Sequence, residues 1–140
     1  MDIRNILVGL DGSKSSRKAL QAAVDLSRKL NAKVTTLTVV HLPDFSPGGG
    51  EVEELEQAEK YYQPLLQEVQ AYGSTLGYDI MTVILKGHPT EQLLQYAEDN
   101  QVDLMVIGTR GLGRFKKLLM GSVAQKVVSY SKIPVMVIRE

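Results

Sequence analysis

The 140-residue chain has no cysteine. Disulfides, thiolate zinc sites, iron–sulfur clusters and cysteine nucleophiles are therefore excluded. It has two histidines, His41 and His88, too few for a histidine-rich metal site. It has no net charge: 16 Lys+Arg balance 16 Asp+Glu. A general nucleic-acid binder or a polybasic membrane-surface protein needs a basic excess, so neither fits, although a local basic site remains open. No apolar stretch approaches the roughly 20 residues of a membrane span. The opening segment carries Asp2, Arg4 and Asp11 around a short apolar run, without the basic region and longer hydrophobic stretch of a signal peptide. The expectation is a soluble, cytoplasmic protein with no membrane or nucleic-acid partner.

What is present is ordinary for a globular domain: 44% hydrophobic and 23% charged residues. The length suits one domain over residues 1–140, large enough to need no metal or disulfide staple. Five short apolar runs stand out: Ile3 to Gly9, Lys33 to Val40, Tyr78 to Leu85, Asp103 to Ile107 and Pro134 to Ile138. Each is β-branched or bounded by turn residues and reads as a strand. Between them lie helical patterns. Ala19, Ala23, Leu26 and Leu30 follow the candidate caps Ser13 and Ser15, and Asn31 closes that helix. Leu55, Ala58, Tyr62, Leu65, Val69, Tyr72 and Leu76 form the strongest periodic stripe, which a coiled-coil seam or a helix packed on a sheet could explain. The stripe spans only about three heptads and contains tyrosines, so the sheet-packed helix is preferred. Pro64 inside it predicts a kink or an interruption. His88 is expected to cap a helix with Pro89 at its start, and Gly121-Ser122 to open the last one. The one linker-like stretch runs from Pro43 to Gly50.

Strands and helices thus alternate β-α-β-α-β-α-β-α-β. That order predicts an α/β fold with a single open, mostly parallel sheet and helices on both faces. Ligands in such sheets bind beyond the carboxyl ends of the strands, where the strand order reverses. The segments following the first, second and fourth strands are the ones to inspect. The last, from Gly108 to Ser122, has four glycines, four basic residues (Arg110, Arg114, Lys116, Lys117) and no acid. Glycines let a backbone approach a ligand and turn its N–H groups inward, and a following helix N-terminus adds unpaired donors and partial positive charge. Phosphate is the natural guest. A surface loop with solvated charges is the alternative. The segment is not a P-loop, because Arg114-Phe115 follows Gly113 where Lys-Ser/Thr is required. It is not the dinucleotide fingerprint either, because Lys116 occupies the third glycine position.

Gly108-x2-Gly111-x9-Gly121-Ser122 resembles the nucleotide-binding motif of the universal stress protein family. The opening Ile6 to Ser13, the stretch Val102 to Gly111 and the ending Ile133 to Ile138 resemble that family too, so the likeness spans the chain. It implies a five-stranded sheet in the order 3-2-1-4-5, with a Rossmann-like fold of the adenine nucleotide alpha hydrolase type. It implies binding of ATP, or of ADP or AMP, with Mg²⁺ or Mn²⁺ carried on the phosphates. By resemblance, Asp11 contacts the adenosine part, Val39 and Leu10 lie at the base, and Val123 belongs to the pocket wall. Gly108, Thr109, Gly111, Gly121 and Ser122 hold phosphate, with Arg110 and Arg114 as neutralising charges. Gly113 is an additional glycine inside the x9 stretch. The family commonly dimerises through the last strand, here Val135 to Ile138. The resemblance points to a stress-response regulator with at most slow ATP hydrolysis or autophosphorylation. Two other classes stay open: an ATP-consuming enzyme of the related fold, and a dimeric interaction module that uses no nucleotide.

Overall fold

The first strand, β1 (Asn5–Gly9), sits at the centre of the sheet. In this computed structural model, which describes residues 1–41, 51–109 and 120–140, it pairs in parallel with β2 (Lys33–Val40) on one side and β4 (Leu104–Gly108) on the other. The edges are β3 (Met81–Lys86), beside β2, and β5 (Val135–Ile138), beside β4. The order β3-β2-β1-β4-β5 is the expected one, with every pairing parallel. Four helices connect the strands: α1 (Lys14–Leu30), α2 (Glu51–Thr75), α3 (Pro89–Asp99) and α4 (Ser122–Tyr130).

Alternation along the strands divides the core into two layers. Ile6, Val8, Val34, Leu104 and Val106 face one way and pack under α1 and α2, against Ala19, Ala23, Val24, Leu65 and Val69. Leu7, Leu37, Met105 and Ile107 face the other way and pack under α3 and α4, against Leu93, Ala97, Ala124 and Val127. Both faces of the sheet are covered by apolar side chains, as an all-parallel sheet requires. The reversal of strand order lies between β1 and β4, where chain connections leave in opposite directions.

Two strands begin later than their apolar runs suggest. Ile3 packs on the core, yet the strand starts at Asn5, because the amides of Arg4 and Asn5 both donate to the Asp103 carboxylate at 2.9 Å. Tyr78 is taken up in closing α2: its amide donates to Gly73 O at 2.9 Å and its hydroxyl to Ala32 O at 2.6 Å. The strand therefore opens at Met81. Of the kink or interruption expected at Pro64, the interruption does not occur; the helix runs unbroken from Glu51 to Thr75. Proline removes the bond to the carbonyl of residue 60, and both Lys60 and Pro64 are on the exposed side, where water can serve that carbonyl. The linker-like stretch at 43–50 lies outside the described residues.

Candidate functional site

The carboxyl ends of β1 and β4 open into a cavity of about 510 Å³. That is within the usual range for a small-molecule site. Its floor comes from the α3–α4 side of the sheet: Leu37 and Val39 of β2, Ile107 of β4, and Leu93 of α3. Three chain segments complete it, each at the start of a helix; two supply its polar rim and the third an apolar wall.

The first segment is the turn Leu10–Ser13, between β1 and α1. The strand pairing continues through Leu10, whose amide donates to Leu37 O at 3.0 Å and whose carbonyl accepts from the Thr38 hydroxyl at 2.8 Å. The chain then reverses at Gly12, with φ +92°, a conformation that favours glycine. Asp11 Oδ1 accepts from the Ser13 amide at 2.9 Å, closing an Asx turn. Ser13 is the N-cap of α1, its hydroxyl accepting from Ser16 N at 3.2 Å. Asp11, Ser13 and Ser16 all line the cavity.

The second segment is Gly108-Thr109 and the opening of α4. Thr109 is buried, and its amide extends the pairing with β5 by donating to Ile138 O at 2.8 Å. Its carbonyl accepts from Gly121 N at 2.6 Å. The residues on either side of 110–120 are therefore tied together by main-chain bonding. Gly121 is the N-cap of α4 and offers no side-chain cap. Ser122 is the first helical residue rather than the cap. Gly121, Ser122, Val123 and Ala124 all line the cavity. The α1 terminus is thus closed by its own Ser13, whereas the N-cap of α4 has no side chain to cap with. Partial positive charge and outward N–H groups at such a helix end suit an anion.

The third segment is the start of α3. His88 is the N-cap by position, but its side chain makes no capping bond; its ring instead meets His41 edge-on, with centroids 6.2 Å apart. Pro89 is at the first helical position and lines the cavity together with Leu93.

Of the residues expected from sequence, Leu10, Asp11, Val39, Gly108, Thr109, Gly121, Ser122 and Val123 all line this cavity. Arg110, Gly111, Gly113 and Arg114 lie outside the described residues. Ser13 belongs to the segment that the sequence places at the crevice, as a helix cap; Ser16 at the rim and Pro89 and Leu93 in the wall are not signalled there. Pro89 and Leu93 follow β3, which is not adjacent to the β1–β4 reversal where the crevice is expected. The Pro89/Leu93 pair, four apart on one helix face, was the available signal.

Gly108 has a second constraint. A Cβ there would come within 2.7 Å of the Ser15 main-chain carbonyl carbon on α1. The glycine lets α1 cross close over the end of β4, whatever binds nearby.

The order of strands, the cavity at the reversal and the open α4 terminus can be set beside known proteins. The sequence pattern of the universal stress protein family matches residues 2–139. The chain belongs to that family. It is 30% identical over 140 residues to a universal stress protein of Methanocaldococcus jannaschii, covering 98% of this chain and 82% of that one. Among solved structures it is similar to universal stress protein UspA from Lactobacillus plantarum, with a TM-score of 0.87 at 25% identity, over 99% of both chains. It is also similar to a universal stress protein solved in complex with cAMP, with a TM-score of 0.75 at 27% identity, over 99% of this chain and 98% of that one. As in those relatives, the family likeness extends along the whole chain rather than along the glycine motif alone.

Proposed function

We propose that this universal stress protein is a nucleotide-responsive regulator whose cavity binds an adenine nucleotide, with ATP as the preferred ligand. The observation that carries the reading is the α4 terminus: an N-cap glycine without a side-chain cap, opening onto a cavity whose floor is apolar. The base lies over Leu37, Val39 and Leu93, the sugar reaches Asp11, and the phosphates run toward Gly121 and Ser122. The solved relative that holds cAMP supports an adenine nucleotide as the ligand class. The glycine motif that the sequence shares with the ATP-binding branch supports a triphosphate.

Asp11 is the one titratable residue among the described cavity lining. An acid–base pair for rapid turnover would need a second such group. Bound ATP is read here as a signal or structural ligand with at most slow hydrolysis or autophosphorylation. Among the described residues no group of three His, Cys, Asp or Glu could cage an ion. Mg²⁺ or Mn²⁺ would therefore be held by phosphate oxygens and water, as such ions commonly are. We also propose a homodimer through β5, and a cytoplasmic location. Among the described residues no strand lies beside the outer edge of β5, and Met136 of that strand is exposed. No helix among the described residues is long and apolar enough to cross a membrane.

The deciding measurement is thermal unfolding with and without ATP, paired with mass spectrometry of small molecules that co-purify. At 100 times Kd, a ligand selective for the native state stabilises it by about 2.7 kcal/mol, which raises the midpoint by several degrees. An unshifted midpoint at millimolar ATP, AMP and cAMP would remove the nucleotide from the account.

A further inference from the structure

Arg17 sits in the first turn of α1, where a cation opposes the helix dipole. Two partners hold it there. Its Nε donates to Glu68 Oε2 of α2 at 2.9 Å. Its Nη1 donates back to the carbonyl of Gly12. Gly12 is the positive-φ residue between Asp11 and Ser13, and Leu65 of α2 lies against the same glycine, 3.7 Å from where a Cβ would stand. Ser13 O is likewise gripped twice, by Arg17 N at 3.1 Å and by the Ser16 hydroxyl at 3.0 Å. The turn that presents Asp11 to the cavity is therefore fastened at its carbonyls from α1, and through Glu68 from α2.

We infer that Arg17 and Glu68 are positioning residues that hold the Asp11 turn and thereby set how strongly the site prefers ribose over deoxyribose. The inference rests on the reading of Asp11 as the sugar contact. A carboxylate accepting from a sugar hydroxyl makes a charge-assisted bond only when its direction is fixed. Losing the guanidinium frees the Gly12 carbonyl to rotate and lets Asp11 lose that direction. The change in local charge also weakens attraction for phosphate, but equally for ribo- and deoxyribonucleotides, so it cancels in their ratio. Arg17 and Glu68 side chains are 45% and 55% exposed, and half-exposed pairs contribute little to stability. Positioning and folding are therefore separable.

The test is calorimetric titration of the full chain with ATP, 2′-deoxyATP and 3′-deoxyATP, at one ionic strength, for the wild type, Arg17→Met and Glu68→Gln. The wild type is expected to favour ATP over at least one deoxy analogue by roughly tenfold, the size of one charge-assisted bond. Arg17→Met is expected to bring that ratio within about twofold of unity, with both affinities lowered by the lost charge and the thermal midpoint little changed. Glu68→Gln, which leaves the Gly12 contact in place, should reduce the ratio part-way and add nothing on the Arg17→Met background. A folded Arg17→Met with the wild-type ratio overturns the inference and leaves the nucleotide reading standing. If Arg17→Met does not fold, an undiminished ratio in Glu68→Gln overturns it instead. A wild type without any ribose preference also overturns it. A wild type that binds none of the three overturns the nucleotide reading itself.

Discussion

Gly108 and Gly121 belong to one spaced motif, yet they answer to different demands. Gly121 has φ −74°, ψ 173°, which any residue adopts, so nothing in its backbone asks for glycine. Its place on the cavity wall, at the head of α4, is the reason to keep the position bare. Gly108 is instead pressed against α1 through Ser15. The two substitutions should therefore part company. Gly121→Val is expected to leave the ligand-free midpoint within a few degrees of wild type and to abolish the shift caused by ATP. Gly108→Ala is expected to lower stability by about 2 kcal/mol or more, because a methyl forced against main chain must displace it. Urea unfolding of both variants, with and without ATP, checks the pair. Equal loss of stability in the two would refute the division. Asp11 is a related case: the turn-forming and ligand-binding readings of that carboxylate are compatible, since only Oδ1 is engaged by Ser13 N.

At the scale of elements, the helix starts decide the chemistry. Three N-termini line the cavity, and each is finished differently: α1 by the Ser13 hydroxyl, α3 by a proline that has no N–H to leave unpaired, and α4 by a bare glycine. Of the three, α4 has no N-cap side chain at all, and its Gly121 and Ser122 line the cavity. Elsewhere α2 tolerates a proline in its middle because the affected carbonyl is on the exposed side. Pro64→Ala restores that bond and a better helix former. It is expected to stabilise the protein by about 1–2 kcal/mol, less than the roughly 3 kcal/mol of the intrinsic scale, because proline also restricts the unfolded chain. The denaturant midpoint should rise with an unchanged m-value. A midpoint that falls would mean the proline shapes α2 in a way the fold requires.

At the scale of the whole molecule, the two edges of the sheet differ. β5 is short and carries Met136 outward, with Val128 and Tyr130 of α4 also exposed nearby in the chain. Val135 and Val137 instead pack inward on the α3–α4 layer. A charge placed at either valine would disturb the core and say nothing about assembly. Met136→Lys is the cleaner probe, since a lysine on an edge strand discourages pairing at little cost to the fold. Light scattering is expected to show a dimer for the wild type and a monomer for Met136→Lys, with matching circular dichroism. A dimer that survives the lysine would move the interface away from β5.

Periodicity alone determined the alternating elements and the two-faced parallel sheet, because apolar spacing reports which face of each element must leave water. The family likeness supplied the strand order and half of the cavity lining, from Leu10 and Asp11 to Gly121 and Ser122. Element boundaries were decided by contacts distant in sequence: Asp103 capturing the amides that precede β1, and Tyr78 reaching Ala32. The same is true of the wall formed by Leu93, the packing duty of Gly108 and the grip of Arg17 on the Asp11 turn. A linear pattern records what each residue prefers locally. Which residues become neighbours depends on how the layers close over one another, and that is settled only when the whole chain packs.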